Sequence, residues 1–365
     1  MKYIVKFAKY PKNEKVLEKI DKAAVRLEKK LSVFDCDSLK ITNYDKIYLR
    51  NYQNNLSKIL QINCHILAWC LNLSKNLKNF TLIDHGGGVG LLSLLAKESG
   101  IGKVIYNDID EVQTHDAEII AQALNIPVDN YFSGDIGDLI SFLKRESIVI
   151  NGLVSHDVIE HIYNVKDFIR KLSFLPSASF RVAMSSGANP YNPIISLKLM
   201  KHQRCCEFED RAKVEFSNER DCAESFLKVR KKIIKNYNPE LDSAQLQELA
   251  TATRGMMKKD IETSVACYQK TKIIPKKLTH PTNTCDPFTG NWAEHLIDLS
   301  KFKKTMTANG FRVKILAGYW NRDPKSYPKK ILTNLINILI SSVGSKGIIL
   351  APSYLVVAKK KNTKS

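Results

Sequence analysis

The sequence predicts an α/β fold built on a mostly parallel sheet, and three observations carry that expectation. Short apolar runs at 81–83, 104–106, 153–154 and 180–184 alternate with helical stretches at 91–98, 112–124, 136–144 and 165–172, the pattern of βα units. A glycine-rich segment stands directly between the first run and the first of these helical stretches. Strand signals return late, at 311–316 after an Asn309-Gly310 turn and at 354–358. The 365 residues are 44% hydrophobic and 25% charged, which excludes disordered, collagenous and disulfide-dense classes.

Taken in order, residues 1–78 form a helical lead-in, with apolar residues at helical spacing over 13–31 and 53–73. Residues 79–190 are the ligand-binding core. Residues 191–295 are polar, basic and helical, clearest at 242–257 and 260–269, and read as an inserted cap on the acceptor side. Residues 296–365 return to the sheet, with an apolar helix at 331–343 expected to pack on a core before a Lys-rich tail. That helix is shorter than the about 20 residues a bilayer span needs, although Lys329, Lys330 and Lys346 at its ends would suit a membrane surface.

The formal charge is +19, from 56 Lys and Arg against 37 Asp and Glu, with an acidic stretch at 81–190 between basic flanks. Such a balance favours anionic partners, but 44 of the basic residues are Lys spread without dense runs, as biased base composition also produces. Eight cysteines contain no C-x-x-C pair and read as reduced thiols. The N-terminus lacks a signal-peptide apolar region, so the expected location is cytoplasmic.

The chemistry concentrates at Leu82-Ile83-Asp84-His85-Gly86-Gly87-Gly88-Val89-Gly90-Leu91. A strand, an acid, alternate glycines and a helix let the backbone turn tightly, approach a ligand and present helical amides to it. The spacing differs from the dinucleotide fingerprint G-x-G-x-x-G/A, because Leu91 stands where a third small residue belongs. It resembles motif I of the class I S-adenosylmethionine-dependent methyltransferases, D/E-x-G-x-G-x-G.

Three later segments are similar to that family's motifs: Val104-Ile105-Tyr106-Asn107-Asp108, Ser133-Gly134-Asp135-Ile136, and Leu153-Val154-Ser155-His156-Asp157. The resemblance covers 80–185 firmly and the last two strands more loosely. It implies a Rossmann-like seven-stranded sheet and S-adenosylmethionine as methyl donor. The donor would be held by Asp84, Gly86, Gly88, Gly90, Asp108, Ile109, Asp135, Ile136 and Ser155. Asp108 would take the ribose hydroxyls, Asp135 the adenine amino group, and Ile136 would lie against the ring. The alternative is that the three acids only cap and terminate strands.

Asp157-Val158-Ile159-Glu160-His161 would place two carboxylates and an imidazole on one face if it opened a helix. Three readings follow. Glu160 and His161 line the pocket or orient the acceptor; His156 or His161 is a general base; or Asp157, Glu160 and His161 hold a divalent cation. The last is similar to the acid-x-x-Glu-His arrangement of ubiquinone-biosynthesis and small-RNA 2′-O-methyltransferases, from which this chain departs by its leading Asp. His202, His280 and His295 are the candidate further ligands. The loops at 185–193 and 280–295 are dense in polar and turn residues, placed either to meet an acceptor or simply to turn, the second before a helix starting at Asn291.

The expected activity is methylation of a hydroxyl on a small or medium metabolite, a sugar or similar intermediate. Two alternatives stand beside it: an RNA methyltransferase using the basic flanks, disfavoured by the lack of an RNA-binding module or aromatic-interleaved basic stretch, and a donor-binding scaffold without turnover.

Overall fold

The computed structural model describes residues 1–4, 10–210, 223–324 and 326–360; Cys222 and the end of the Lys-rich tail lie outside the described residues. The chain forms two compact units. One comprises Met1–Ile159, Lys166–Asn192 and Asp298–Ser365, the other Glu160–Val165 and Pro193–Ile297.

The first unit opens with α1 (Glu14–Ser32), α2 (Asn43–Asn54) and α3 (Leu56–Leu71). Asn13 caps α1, which buries Val16, Ile20, Ala24, Leu27 and Leu31 along one stripe. α3 is apolar on nearly every face because it lies between α1 on one side and strands β4 (Gly152–His156) and β5 (Arg181–Ser186) on the other. The lead-in helices therefore share one continuous core with the strands. No periodicity signals α2: only Asp45 and Leu49 of it are buried. Polar contacts tether its start instead, with the Thr42 N–H and Oγ1 each donating to Asp116 Oδ2 at 2.8 Å.

The remaining elements of this unit follow in alternation: β1 (Thr81–His85), α4 (Leu91–Glu98), β2 (Lys103–Asp108), α5 (Glu111–Ala123), β3 (Asn130–Ser133), α6 (Ile136–Arg145), then β4, α7 (Val165–Leu172) and β5. The strand order is β3-β2-β1-β4-β5-β7-β6, where β6 is Phe311–Ala317 and β7 is Tyr354–Lys360. β1 to β5 run parallel, and β7 lies antiparallel between β5 and β6. The sequence order reverses between β1 and β4, a switch point of the kind beside which ligands bind, outside the carboxyl ends of the strands, in open α/β sheets.

α12 (Leu299–Ala308), capped by Asp298, precedes β6, so no helix starts at Asn291. α13 (Tyr327–Ser342) overturns the expectation of a core helix, since only Asn337 and Ile340 of it are buried. Asn337 fixes its rotation: Oδ1 accepts from the Trp320 N–H at 2.8 Å and Nδ2 donates to the Trp320 carbonyl at 2.9 Å.

The second unit holds α8 (Pro193–Phe208), α9 (Phe226–Tyr237), α10 (Ser243–Ala252) and α11 (Lys258–Thr271). The helix expected over 242–257 stops at Ala252 because Gly255 turns left-handed (φ 80°), and a Cβ there would stand 2.5 Å from the Asn283 carbonyl oxygen. Val229, Ile233, Ile234, Leu249, Ile261 and Val265 form its core. Beside them lies an ion pair, with Arg230 fully buried and Glu207 nearly so. Arg230 also donates to the Ala250 carbonyl at 3.0 Å, and Thr284 Oγ1 donates to Glu207 Oε2 at 3.0 Å.

Candidate functional site

The parallel pairing of β1 and β2 brings His85 opposite Asn107, so the turn leaving β1 begins beside the end of β2. The N–H groups of Gly86 and Gly87 both donate to the Asn107 carbonyl, at 2.7 and 3.1 Å. Gly86 is packed so closely that a Cβ would meet the Val158 side chain at 2.4 Å. Gly88 differs: it is left-handed (φ 51°), yet a Cβ there would meet nothing within 4 Å. Its backbone presents bare, open space. Gly90 is the left-handed cap from which α4 starts.

Asp108 closes this loop from the other side. The Gly88 N–H donates to its Oδ2 and the Asp110 N–H to its Oδ1, both at 3.1 Å. A carboxylate offers about four acceptor positions, so the carboxylate retains capacity for further donors. Ile109, next along the chain, is 60% exposed. Asp84 points inward and accepts from Ser93 Oγ at 2.8 Å; burial pushes its carboxyl up to about 7, against the lowering effect of the Ser93 hydrogen bonds.

Asp135 is the cap of α6, accepting from the N–H groups of Gly137 and Asp138 and pairing with Lys171 at 3.2 Å. Burial works against its charge, but the N–H of Asp138, the Lys171 ammonium and the N–H of Gly137 hold the carboxyl below its ordinary range. Ile136 is buried. Ser155, in β4, is fully buried, and its hydroxyl has no hydrogen-bond partner among the described residues.

Three contributors escaped the sequence reading. Tyr106 donates its hydroxyl to the Gly88 carbonyl at 2.6 Å. Asn107 bonds the His85 ring at 2.6 Å and donates to the Gly134 carbonyl at 2.9 Å, joining the turns after β1 and β3. Both precede Asp108 in its strand, a position that was the available signal. Tyr52 of α2 ends a ladder of rings with Tyr44 and Tyr48. Its phenol is held well above its ordinary range by burial first, then by Tyr48, Asp157 and Asp84.

The segment after β4 corrects the expected helical face. Asp157 is left-handed (φ 53°) and no helix begins before Val165, so positions 157, 160 and 161 do not share one side of a helix. Asp157 instead accepts from the Gly187 N–H at 2.7 Å and lies 3.4 Å from His156 Nε2. The loop at 185–193 is anchored from within, as Asn189 and Asn192 both donate to the Ala351 carbonyl.

In the helical unit, Glu160, His161 and Glu294 offer ligand atoms that all lie within 4.8 Å of one another, and Asp157 is not among them. Glu160 is buried. His161 bonds through Nδ1 to the Trp292 carbonyl at 2.8 Å, and its Nε2 lies 3.9 Å from Glu294 Oε1. With Nδ1–H donating to a carbonyl, a neutral ring keeps its lone pair on Nε2. The backbone holds the group in place, since the Trp292 N–H donates to the His161 carbonyl and the His295 N–H to the Glu160 carbonyl, both at 3.1 Å.

None of the three further histidines joins this group. His202 lies 3.6 Å from Cys206 Sγ on its own helix. His280 and His295 stack with ring centroids 4.4 Å apart, and burial lowers His295 to about 4 despite its bond to the Thr282 carbonyl. The 280–295 run forms a turn closed by the Cys285–Trp292 bridge, with Asp286 accepting from the N–H groups of Phe288 and Thr289.

No protein-family model and no curated protein matches the chain. Among solved structures it is similar to the plantazolicin methyltransferase BpumL in complex with SAH, at 14% identity over 95% of this chain and 99% of that one, with a TM-score of 0.39. It is also similar to YcgJ of Bacillus subtilis, at 12% identity over 81% of this chain and 98% of that one, TM-score 0.38. The likeness to the CurJ carbon methyltransferase is 10% over 93% of this chain and 67% of that one, TM-score 0.40.

Proposed function

We propose that the chain is a class I S-adenosylmethionine-dependent methyltransferase acting on a hydroxyl of a small or medium metabolite, such as a sugar. The observation that carries the proposal is the bond from the Gly88 N–H to Asp108. It joins the glycine loop and the acid, two motifs of the same family resemblance, around open backbone.

The residues fit the donor. The space at Gly88 admits a ligand against bare backbone, the remaining lone pairs of Asp108 suit a ribose diol, and the exposed Ile109 offers an apolar surface to a ring. The unpartnered Ser155 hydroxyl is available to a polar group. Asp135 is already committed to capping α6 and to Lys171, which leaves it a smaller part in adenine recognition than the resemblance implies. When bound, S-adenosylmethionine supplies an electrophilic methyl group on a sulfonium. The chain's own task is to position the acceptor and hold its proton, on His156 beside Asp157 in the sheet unit. A base in that role contributes about 10²–10⁴ in rate.

Glu160, His161 and Glu294 carry a second reading as a divalent-cation cradle, favoured by the orientation of His161. Titration with Mn²⁺ against Glu294→Gln tests it; binding that survives this change would remove Glu294 from the set.

Methyl transfer from labelled S-adenosylmethionine to a panel of hydroxylated metabolites, including sugars, tests the main reading. The expected result is label in a hydroxylated product. Donor binding without transfer to any acceptor would favour the scaffold, and transfer to RNA with affinity falling steeply in salt would favour the nucleic-acid reading.

A further inference from the structure

The helix α13 faces the wrong way for a core element. Ile331, Leu332, Leu335, Ile338, Leu339 and Val343 recur at helical spacing on one side, and each is between 46% and 57% exposed. The side turned inward carries Asn337, whose two bonds to the backbone of Trp320 set the helix rotation. Packing thus consumes a polar side chain while the apolar stripe meets solvent. An apolar surface of this extent on a soluble domain marks a place where something docks.

Charge identifies the occupant. Residues 326–350 contain no Asp or Glu, and Lys329 and Lys346 stand at the two ends of the stripe, while Lys330 pairs with Asp323 at 2.8 Å. A second copy of the chain is a poor match, because pairing α13 with itself brings Lys329 against Lys329 when parallel or against Lys346 when antiparallel, and the nearby Asp323 is already paired with Lys330. A bilayer rich in anionic lipid matches both features: acyl chains take the stripe and phosphates take the lysines. At 16 residues α13 is too short to span, and no helix among the described residues is long and apolar enough to cross a membrane. The geometry points to α13 lying in the membrane interface, and we propose that it docks the protein on anionic bilayers. Tyr327, 74% exposed at the start of the helix, has the amphipathic ring suited to the headgroup level.

The test is sedimentation of the full chain with vesicles of phosphatidylcholine alone or with about 30 mol% phosphatidylglycerol. The double variant Leu335→Glu/Leu339→Glu removes the stripe. Val33→Glu/Val149→Glu changes net charge equally at exposed sites on other elements. Binding to the anionic vesicles that falls at least about tenfold in the α13 variant and little in the control supports the proposal. Three results would overturn it: no binding to anionic vesicles at low salt, equal loss in both variants, which would mean adsorption by net charge, and a wild-type dimer that the α13 variant makes monomeric while vesicles bind neither. Circular dichroism of each variant establishes that it is folded.

Discussion

The glycine loop of the sheet unit and the Glu160–His161–Glu294 group of the helical unit are built by different means. The loop spans 86–90, and its partners Asp108 and Asn107 lie at the end of the neighbouring strand, where parallel pairing leaves little freedom. The helical unit brings Glu294 to His161 across more than 130 residues, through the backbone of Trp292 and His295. Where strand register sets a position, short motifs reveal it. Where a long loop sets it, nothing local does.

The two units also differ in what holds them, and the largest expected effect exploits this. The helical unit holds the buried Arg230–Glu207 pair, and removing Arg230 leaves Glu207 only the longer 3.6 Å contact to Arg254 and the Thr284 hydroxyl. Arg230→Met should cost about 3–5 kcal/mol, and Arg230→Met combined with Glu207→Leu should recover only part of it, because Arg254 then loses its carboxylate. Hydrogen exchange mapped to 193–297 measures the loss; equal loss in the single and double variants would remove the ion pair from the account.

Next in size is the effect at the proposed donor site. Asp108→Ala should weaken S-adenosylhomocysteine binding by about 1–3 kcal/mol, as expected when a charged hydrogen-bonding group is lost. Circular dichroism should show the fold intact, because the sheet core does not rest on this carboxylate. Unchanged affinity would separate Asp108 from the donor.

A smaller effect distinguishes the units by sign. Asp84, raised to about 7 by burial, keeps a proton in the folded chain that the unfolded chain releases above about 4, and Asp45, also raised to about 7 by burial, acts in the same sense. These groups stabilise the sheet unit as pH falls from about 7 to 5, opposed in part by His85, which burial lowers, so His85→Asn should sharpen the sheet unit's response. His295, lowered to about 4 by burial, stays neutral while the unfolded chain takes a proton below about 6.5. The same acidification therefore weakens the helical unit, by about 1–2 kcal/mol. Local exchange free energies at the two pH values should move in opposite directions, with the helical unit's response reduced in His295→Phe; movement in the same direction would contradict the assignment.

The residues explain how far the sequence could be read. α4 and α7 lie where the apolar spacing put them, at Leu91–Glu98 and Val165–Leu172; α7 buries Phe168, Ile169 and Leu172 along one face, and α4 is buried on most sides, against α1 as well as β2. α2 was invisible because tethering through Thr42 and Asp116 has no periodicity. α13 misled because its spacing announces an apolar face without saying which way that face turns; Asn337 decides it. At the site, the glycine loop was legible from spacing and Asp108 was pointed to by the family resemblance, whereas the backbone of Asp157 was signalled by neither. Its left-handed backbone, set by the Gly187 contact and the turn after β4, interrupted a pattern that fits a helix in sequence.

The most direct measurement is calorimetric titration of the wild-type chain and Gly88→Ala with S-adenosylhomocysteine. Among the described residues nothing opposes a Cβ at Gly88 except its own left-handed backbone, a cost of about 1–2 kcal/mol to the fold. Micromolar binding by the wild type and a loss of at least about tenfold in the variant, beyond any change in its folded fraction, is the predicted result. No binding by the wild type, or equal affinity in the two proteins, would contradict the claim that this loop holds the methyl donor.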